Sequence, residues 1–263
     1  MPTLPFTERN GVKIDYEVVG TGPAIVKLPG LGSDIEMSRI NGWLASGLPH
    51  HQLVLIDPRG HGKSDKPTRP GDHRIEEYRD DVIAVLDRIK VERAVFWGIS
   101  NGAEVACALA SAYPERVTAI IDLDGWDDRD LCDSPLKEES LEFAKSIRAR
   151  GWSAVIKQAA KSNGFDPESP LIQEFQRADT NMTALEVEAW TEWKGPLSIL
   201  PRLSMPILRI LNGKRKSEEI ERIKQQVGTS TELHVIPGLS YMQLCLIRKH
   251  TEDLVHDFLA RVD

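Results

Sequence analysis

Val95-Phe96-Trp97-Gly98-Ile99-Ser100-Asn101-Gly102 is a short apolar run that ends in Gly-x-Ser-x-Gly. A small-residue helical pattern follows at once, with Ala103, Ala106, Ala108 and Ala110. Strand, sharp turn and helix in that order form the context in which this five-residue pattern presents a serine nucleophile. The two glycines carry physical weight. Ser100 has to sit at a cramped backbone angle, and residues without Cβ let the strand and the helix approach closely.

The strands around this stretch set the fold class. Residues 12–19 alternate apolar and polar with period two and predict edge-strand pairing, with a turn at 20–23. Residues 24–28 and 53–57 are short apolar runs that predict buried strands. The first ends in Pro29-Gly30-Leu31-Gly32, a loop whose backbone N–H groups can meet a developing anion. The second ends in Pro58-Arg59-Gly60-His61-Gly62, where His61 reads as a turn residue. Residues 75–89 place Tyr78, Val82, Ile83, Val85, Leu86 and Ile89 on one helical stripe. Strands are expected again at 93–99, 116–124, 206–211 and 233–236, and a closing helix at 247–261. Strands alternating with helices give an α/β class with a mostly parallel central sheet flanked by helices.

Residues 127–203 break the alternation. Their helical patterns at 136–148, 154–161, 171–177 and 184–193 predict a helical cap inserted into a core made of 1–126 and 204–263. Trp152, Trp190 and Trp193 fall in this segment and Trp126 at its border. Trp126, Trp190 and Trp193 are the candidates for an apolar substrate-binding wall, against the plainer role of core packing.

Composition bounds the partners. Of 263 residues, 41% are hydrophobic and 28% charged, as in a water-soluble globular chain. A net charge of −7 argues against nucleic acid and anionic membranes. No basic-then-apolar leader and no long apolar run occur. Cys107, Cys132 and Cys245 are odd in number and lack metal-ligand spacing, which predicts a reduced, cytoplasmic chain without metal or cofactor. A small-molecule substrate is the expected partner, and a homodimer is compatible with these features.

Taken together, Leu28-Pro29-Gly30-Leu31-Gly32, Asp57-Pro-Arg-Gly-His-Gly-Lys-Ser-Asp65, the Ser100 turn and Tyr113-Pro-Glu-Arg-Val117 make the chain resemble the α/β-hydrolase fold superfamily along its whole length. Trp97-Gly98-x-Ser100-x-Gly102 with an acid ending the sixth strand is similar to the zearalenone-type lactonases. The resemblance implies a Ser–acid–His triad in that chain order, with Ser100 as nucleophile. It also implies oxyanion-hole amides at Asn101 and at Leu31 or Gly30. The usual seventh-strand acid is missing, because 212–217 reads Asn-Gly-Lys-Arg-Lys-Ser. The alternative position holds Asp124, with Asp122 two residues earlier on the same face.

The histidine is replaced. Family spacing back from Phe258 lands on Tyr241, or on Ser240 with a one-residue slip. A phenol with a pKa of about 10 stays protonated at neutral pH and is a poor acceptor of the serine proton. His50, His51, His234, His250 and His256 are badly placed to substitute. The expectation is a serine hydrolase of the ester or lactone class acting on a small apolar molecule, impaired by loss of its base. The alternatives are a lyase or cyclase using Tyr241 as proton donor, and a silent ligand-binding protein.

Overall fold

A computed structural model describes residues 6–42, 48, 50–125, 130, 132 and 134–262. Eight strands make one sheet: β1 (Phe6–Arg9), β2 (Val12–Gly20), β3 (Ala24–Leu28), β4 (Gln52–Ile56), β5 (Ala94–Ile99), β6 (Val117–Leu123), β7 (Ile207–Asn212) and β8 (Thr231–Ile236). Their spatial order is β1-β2-β4-β3-β5-β6-β7-β8. Only β1–β2 and β2–β4 pair antiparallel; the other pairs are parallel.

The helices are α1 (Ile35–Ile40), α2 (Ile75–Ile89), α3 (Asn101–Ala112), α4 (Ser134–Arg150), α5 (Trp152–Ser162), α6 (Pro170–Phe175), α7 (Thr180–Trp190), α8 (Ser217–Gln226), α9 (Tyr241–Leu246) and α10 (Glu252–Val262). Helix α2 occupies the span its apolar stripe predicts. Among the described residues between β6 and β7 there are four helices, α4 to α7, and no strand. No described helix is long and apolar enough to cross a membrane.

Both faces of the sheet are covered, which is why its strands are apolar almost throughout. Val26, Leu28, Phe96 and Ile120 join one core with Val82, Val85 and Leu86 of α2 and Ala106 and Leu109 of α3. Ile25, Val95, Trp97 and Ile121 point to the other face and pack with Val255, Phe258 and Leu259 of α10. Period-two alternation within each strand sorts side chains between these cores.

The connections fix where a site can form. From β3 the chain moves one way to β4, then returns past β3 to β5, so the order reverses between β3 and β5. A crevice opens beyond the carboxyl ends of strands at such a reversal. The 29–32 loop and Ser100 follow those two ends.

Several elements depart from the sequence expectation. Helix α1 was not foreseen, its apolar face being too short to register; Asp34 caps it by accepting from the Met37 amide at 2.9 Å. The amphipathic helix α8 in the basic stretch beyond β7 was also not foreseen. The closing helix expected at 247–261 begins later, as α10, behind a 3₁₀ turn at Arg248–His250, and the short α9 ahead of it was not foreseen. Ser240 starts α9 through a capping box: its hydroxyl accepts from the Gln243 amide at 3.4 Å, and its own amide donates to Gln243 Oε1 at 2.9 Å.

Asp122 lies in the middle of the sheet and is paired with Arg209 of β7 at 2.7 Å, with their side chains 0% and 1% exposed. Removing one partner of a fully buried pair costs about 3–5 kcal/mol, whereas replacing both with apolar groups is often neutral. Asp122→Ala is therefore expected to lower unfolding stability in urea by about 3–5 kcal/mol. The double change Asp122→Leu with Arg209→Met should recover most of that loss.

Candidate active site

Ser100 sits between β5 and α3 with φ 51° and ψ −122°. A non-glycine residue there carries strain of about 1–3 kcal/mol, which the surroundings must hold in place. Its amide donates to Leu123 O at 3.0 Å, and its carbonyl accepts from Ala103 N at 2.8 Å. The flanking glycines are required by contact. A Cβ on Gly98 would stand 2.4 Å from the Ala103 backbone, and one on Gly102 would stand 2.1 Å from Leu28 O. Gly30 is tight to a lesser degree, since its Cβ would come within 3.3 Å of Ser100 Cβ. Asn101 opens α3 directly after the serine. Gly30, Leu31 and Ser100 line one cavity of about 40 Å³.

Tyr241 reaches into the same cavity and donates its hydroxyl to Ser100 Oγ in a short hydrogen bond. Tyr241 is 42% exposed at the surface while its hydroxyl reaches into the Ser100 cavity. Burial, reinforced by Cys245 beside it, pushes the phenol above its ordinary value, so the proton stays on oxygen at neutral pH. Ser240, the other candidate, turns its hydroxyl to the α9 amide instead, because α9 needs a cap at that position.

Asp124 follows β6 with φ 56°, a conformation that Asp tolerates better than most residues. Its carboxylate accepts from Asn212 Nδ2 at 2.6 Å, from Asn212 N at 3.3 Å and from Arg215 Nε at 2.9 Å. The basic stretch after β7 thus supplies the counter-ion of Asp124 through Arg215. Asp122 is not part of this group. It is held by Arg209 and by the Gly125 amide at 2.8 Å.

The tryptophans divide by position. Trp190 and Trp193 join the core shared with α2 and α3, as large apolar side chains commonly do. Trp190 also lines a separate cavity of about 30 Å³ bounded by Gly30, Gly102 and Glu186. Neither tryptophan is among the residues that line the Ser100 cavity. Trp126 lies outside the described residues. Trp152 comes closer, packing its ring against Gly32 and donating Nε1 to Phe175 O at 2.7 Å. Phe175 in turn lines the Ser100 cavity.

Sequence reasoning passed over three groups. Glu186 of α7 is buried and accepts from Tyr78 Oη at 3.2 Å and Asn101 Nδ2 at 3.3 Å, and pairs with His61 Nε2 at 2.7 Å. His73 is enclosed between Tyr78 Oη at 3.1 Å and Pro67 O at 2.7 Å. Lys27 of β3 is 3% exposed and lines the Ser100 cavity. The signal for Lys27 was its position inside an otherwise apolar strand. Among the described residues no group of three or more His, Cys, Asp or Glu is placed to hold a metal ion.

A parallel sheet with a strained serine between β5 and α3 defines an α/β-hydrolase architecture. The α/β hydrolase fold family model matches residues 23–227, and the chain belongs to that family. It is 27% identical over 231 residues to 3-oxoadipate enol-lactonase 2 of Acinetobacter baylyi, covering 80% of each chain. It is 34% identical over 115 residues to the zearalenone hydrolase of Bionectria ochroleuca, covering 41% of each. Among solved structures, the enol-lactonase of Burkholderia xenovorans LB400 superposes with a TM-score of 0.80 at 23% identity, covering 97% of this chain and 100% of that one.

Proposed function

We propose that this chain is a serine-nucleophile hydrolase of the ester or lactone class that acts on a small apolar molecule and turns over slowly because Tyr241 stands in place of histidine. The observation that carries the reading is the Tyr241 hydroxyl on Ser100 Oγ, at a serine held with φ 51° beside Gly30. Ser100 Oγ attacks the carbonyl carbon, and the amides of Asn101 and of Leu31 or Gly30 receive the oxyanion. Leu31, Phe175, Met242 and Leu246 give the cavity its apolar wall, and residues 127–203 act as the cap over it. The enol-lactonase and zearalenone-hydrolase relatives support a carbonyl–oxygen bond as target. Three free thiols fit a cytoplasmic setting.

The test is labelling with a fluorophosphonate probe and a panel of activated esters and lactones. Labelling at Ser100, absent in Ser100→Ala, and Ser100-dependent release of product are expected. An unlabelled protein that still binds apolar ligands would replace this reading with the binding-protein one. The hydrogen bond that Tyr241 donates also favours a second reading, a lyase or cyclase in which the phenol protonates a carbanion or enolate. That reading expects turnover that survives Ser100→Ala and disappears in Tyr241→Phe.

A further inference from the structure

Glu186 belongs to α7, one of the four helices between β6 and β7, and is 3% exposed. A buried carboxylate needs partners, and these come from three places. His61, in the loop after β4, pairs with it through Nε2 at 2.7 Å. Tyr78 of α2 donates its hydroxyl at 3.2 Å, and Asn101, the first residue of α3, donates Nδ2 at 3.3 Å. The surroundings are closely packed. Trp190, one turn further along α7, meets the Tyr78 ring edge-on at 5.4 Å between centroids. Beside His61, a Cβ on Gly60 would stand 3.2 Å from Met182 Cβ of α7. Burial, then the charge of Glu186, pushes the Tyr78 phenol above its ordinary range and keeps it a donor to that carboxylate. The acceptor offered to Asn101 is therefore a fixed one.

The contact with Asn101 reaches the nucleophile turn. Asn101 follows Ser100 directly, and its backbone amide is one of the two donors assigned to the oxyanion. Ser100 is the N-cap of α3 but makes no side-chain bond to the first turn, its hydroxyl being engaged with Tyr241. The α3 entrance thus lacks the side-chain cap that commonly fixes a helix start. Gly30, Gly102 and Glu186 also border one cavity of about 30 Å³, so packing is incomplete beside both the 29–32 loop and the start of α3. A hydrogen bond from the Asn101 side chain to a fixed carboxylate supplies restraint there.

Resting on the serine-hydrolase reading above, we infer that Glu186 is a positioning residue for the oxyanion hole: from the cap it holds the Asn101 side chain and so aims the Asn101 amide at the oxyanion formed over Ser100. It acts through Asn101 and not on the substrate. Cap and nucleophile turn then share one support, because α7 cannot shift without moving this acceptor. Donors aimed in advance need no reorganisation as charge develops on the carbonyl oxygen. A misplacement of about 1 Å costs on the order of 10²-fold in rate. The interaction is strongest in the transition state, so its loss falls on kcat and not on KM.

The test reads kcat and KM on an activated ester with the full chain, in the parent and in Tyr241→His, with Ser100→Ala as background. Glu186→Leu and Asn101→Ala are each expected to lower kcat by about 10–10²-fold, with KM within about threefold. The two changes combined should cost no more than the larger single one, since both remove the same contact. Glu186→Gln keeps an amide oxygen for Asn101 Nδ2 and turns its NH₂ to His61 and Tyr78, so it should retain most of kcat. Losses that multiply in the combined variant would make Glu186 a fastener of the cap and overturn the inference. So would a Glu186→Leu effect confined to KM or to thermal unfolding, or a Glu186→Gln loss as large as that of Glu186→Leu; in these cases the hydrolase reading stands. Glu186→Leu strands two buried polar side chains. If it does not fold, Asn101→Ala decides, because it leaves the His61 and Tyr78 contacts in place. A kcat within about twofold of its background then overturns the inference. If neither background shows Ser100-dependent turnover, both the inference and the hydrolase reading fall.

Discussion

Replacing Tyr241 by histidine raises Ser100-dependent hydrolysis of activated esters and lactones by about 10²–10⁴-fold, the usual contribution of a positioned general base. The phenol already touches Ser100 Oγ, so position 241 is in hydrogen-bond reach of the nucleophile. An imidazole with a pKa near 6.5 accepts the serine proton at neutral pH, while the buried phenol holds its own. Tyr241 is the first residue of α9, and its backbone is fixed by the Ser240 capping box and not by the ring. A flat side chain of similar reach is accommodated there without moving the helix. The measurement is kcat/KM for parent, Tyr241→His and Tyr241→His with Ser100→Ala on the same substrates. A folded Tyr241→His protein with no Ser100-dependent gain would show that more than the base is missing.

The strongly patterned parts of this chain were legible because one physical effect dominated each. The stripe over 75–89 gave α2 to the residue, since amphipathic burial alone fixes such a helix. Gly98 and Gly102 marked the Ser100 turn, because no Cβ fits at either place. The closing region was misjudged for the opposite reason. The expected helix at 247–261 missed α9 and started too early, because a cap at Ser240 and a break before Glu252 are local hydrogen-bond events that periodicity does not register. Trp190 and Trp193 show a different limit. Their type suits a pocket or a core equally, and only contacts with distant residues, such as Trp190 edge-on to Tyr78 of α2, decided for the core. Asp122 and Asp124 share a strand pattern yet take different partners. The residues that separate them, Arg209 and Arg215, lie over 80 positions away in sequence.

Asp124→Asn is the change expected to undo the gain of Tyr241→His. In a Ser–His–acid arrangement the carboxylate holds the imidazole in the useful tautomer and stabilises its charged form, and the acid-to-amide swap lowers kcat by about 10⁴-fold. Asp124 is the candidate for that role because it directly follows β6. The obstacle is Arg215, which with Asn212 occupies the carboxylate in the parent. Asparagine suits the backbone at φ 56°, so the loss of stability comes from the carboxylate's contacts with Arg215 and Asn212, about 1.5–3 kcal/mol for a hydrogen bond to a charged group. Thermal unfolding separates that cost from the kinetic one. The two roles of Asp124 then part in a single comparison within the Tyr241→His background. If the acid serves only to hold Arg215, Arg215→Gln reproduces the kinetic loss of Asp124→Asn. If the acid orients the imidazole, Arg215→Gln leaves kcat equal or higher, because the carboxylate is released from its counter-ion, while Asp124→Asn alone abolishes the gain.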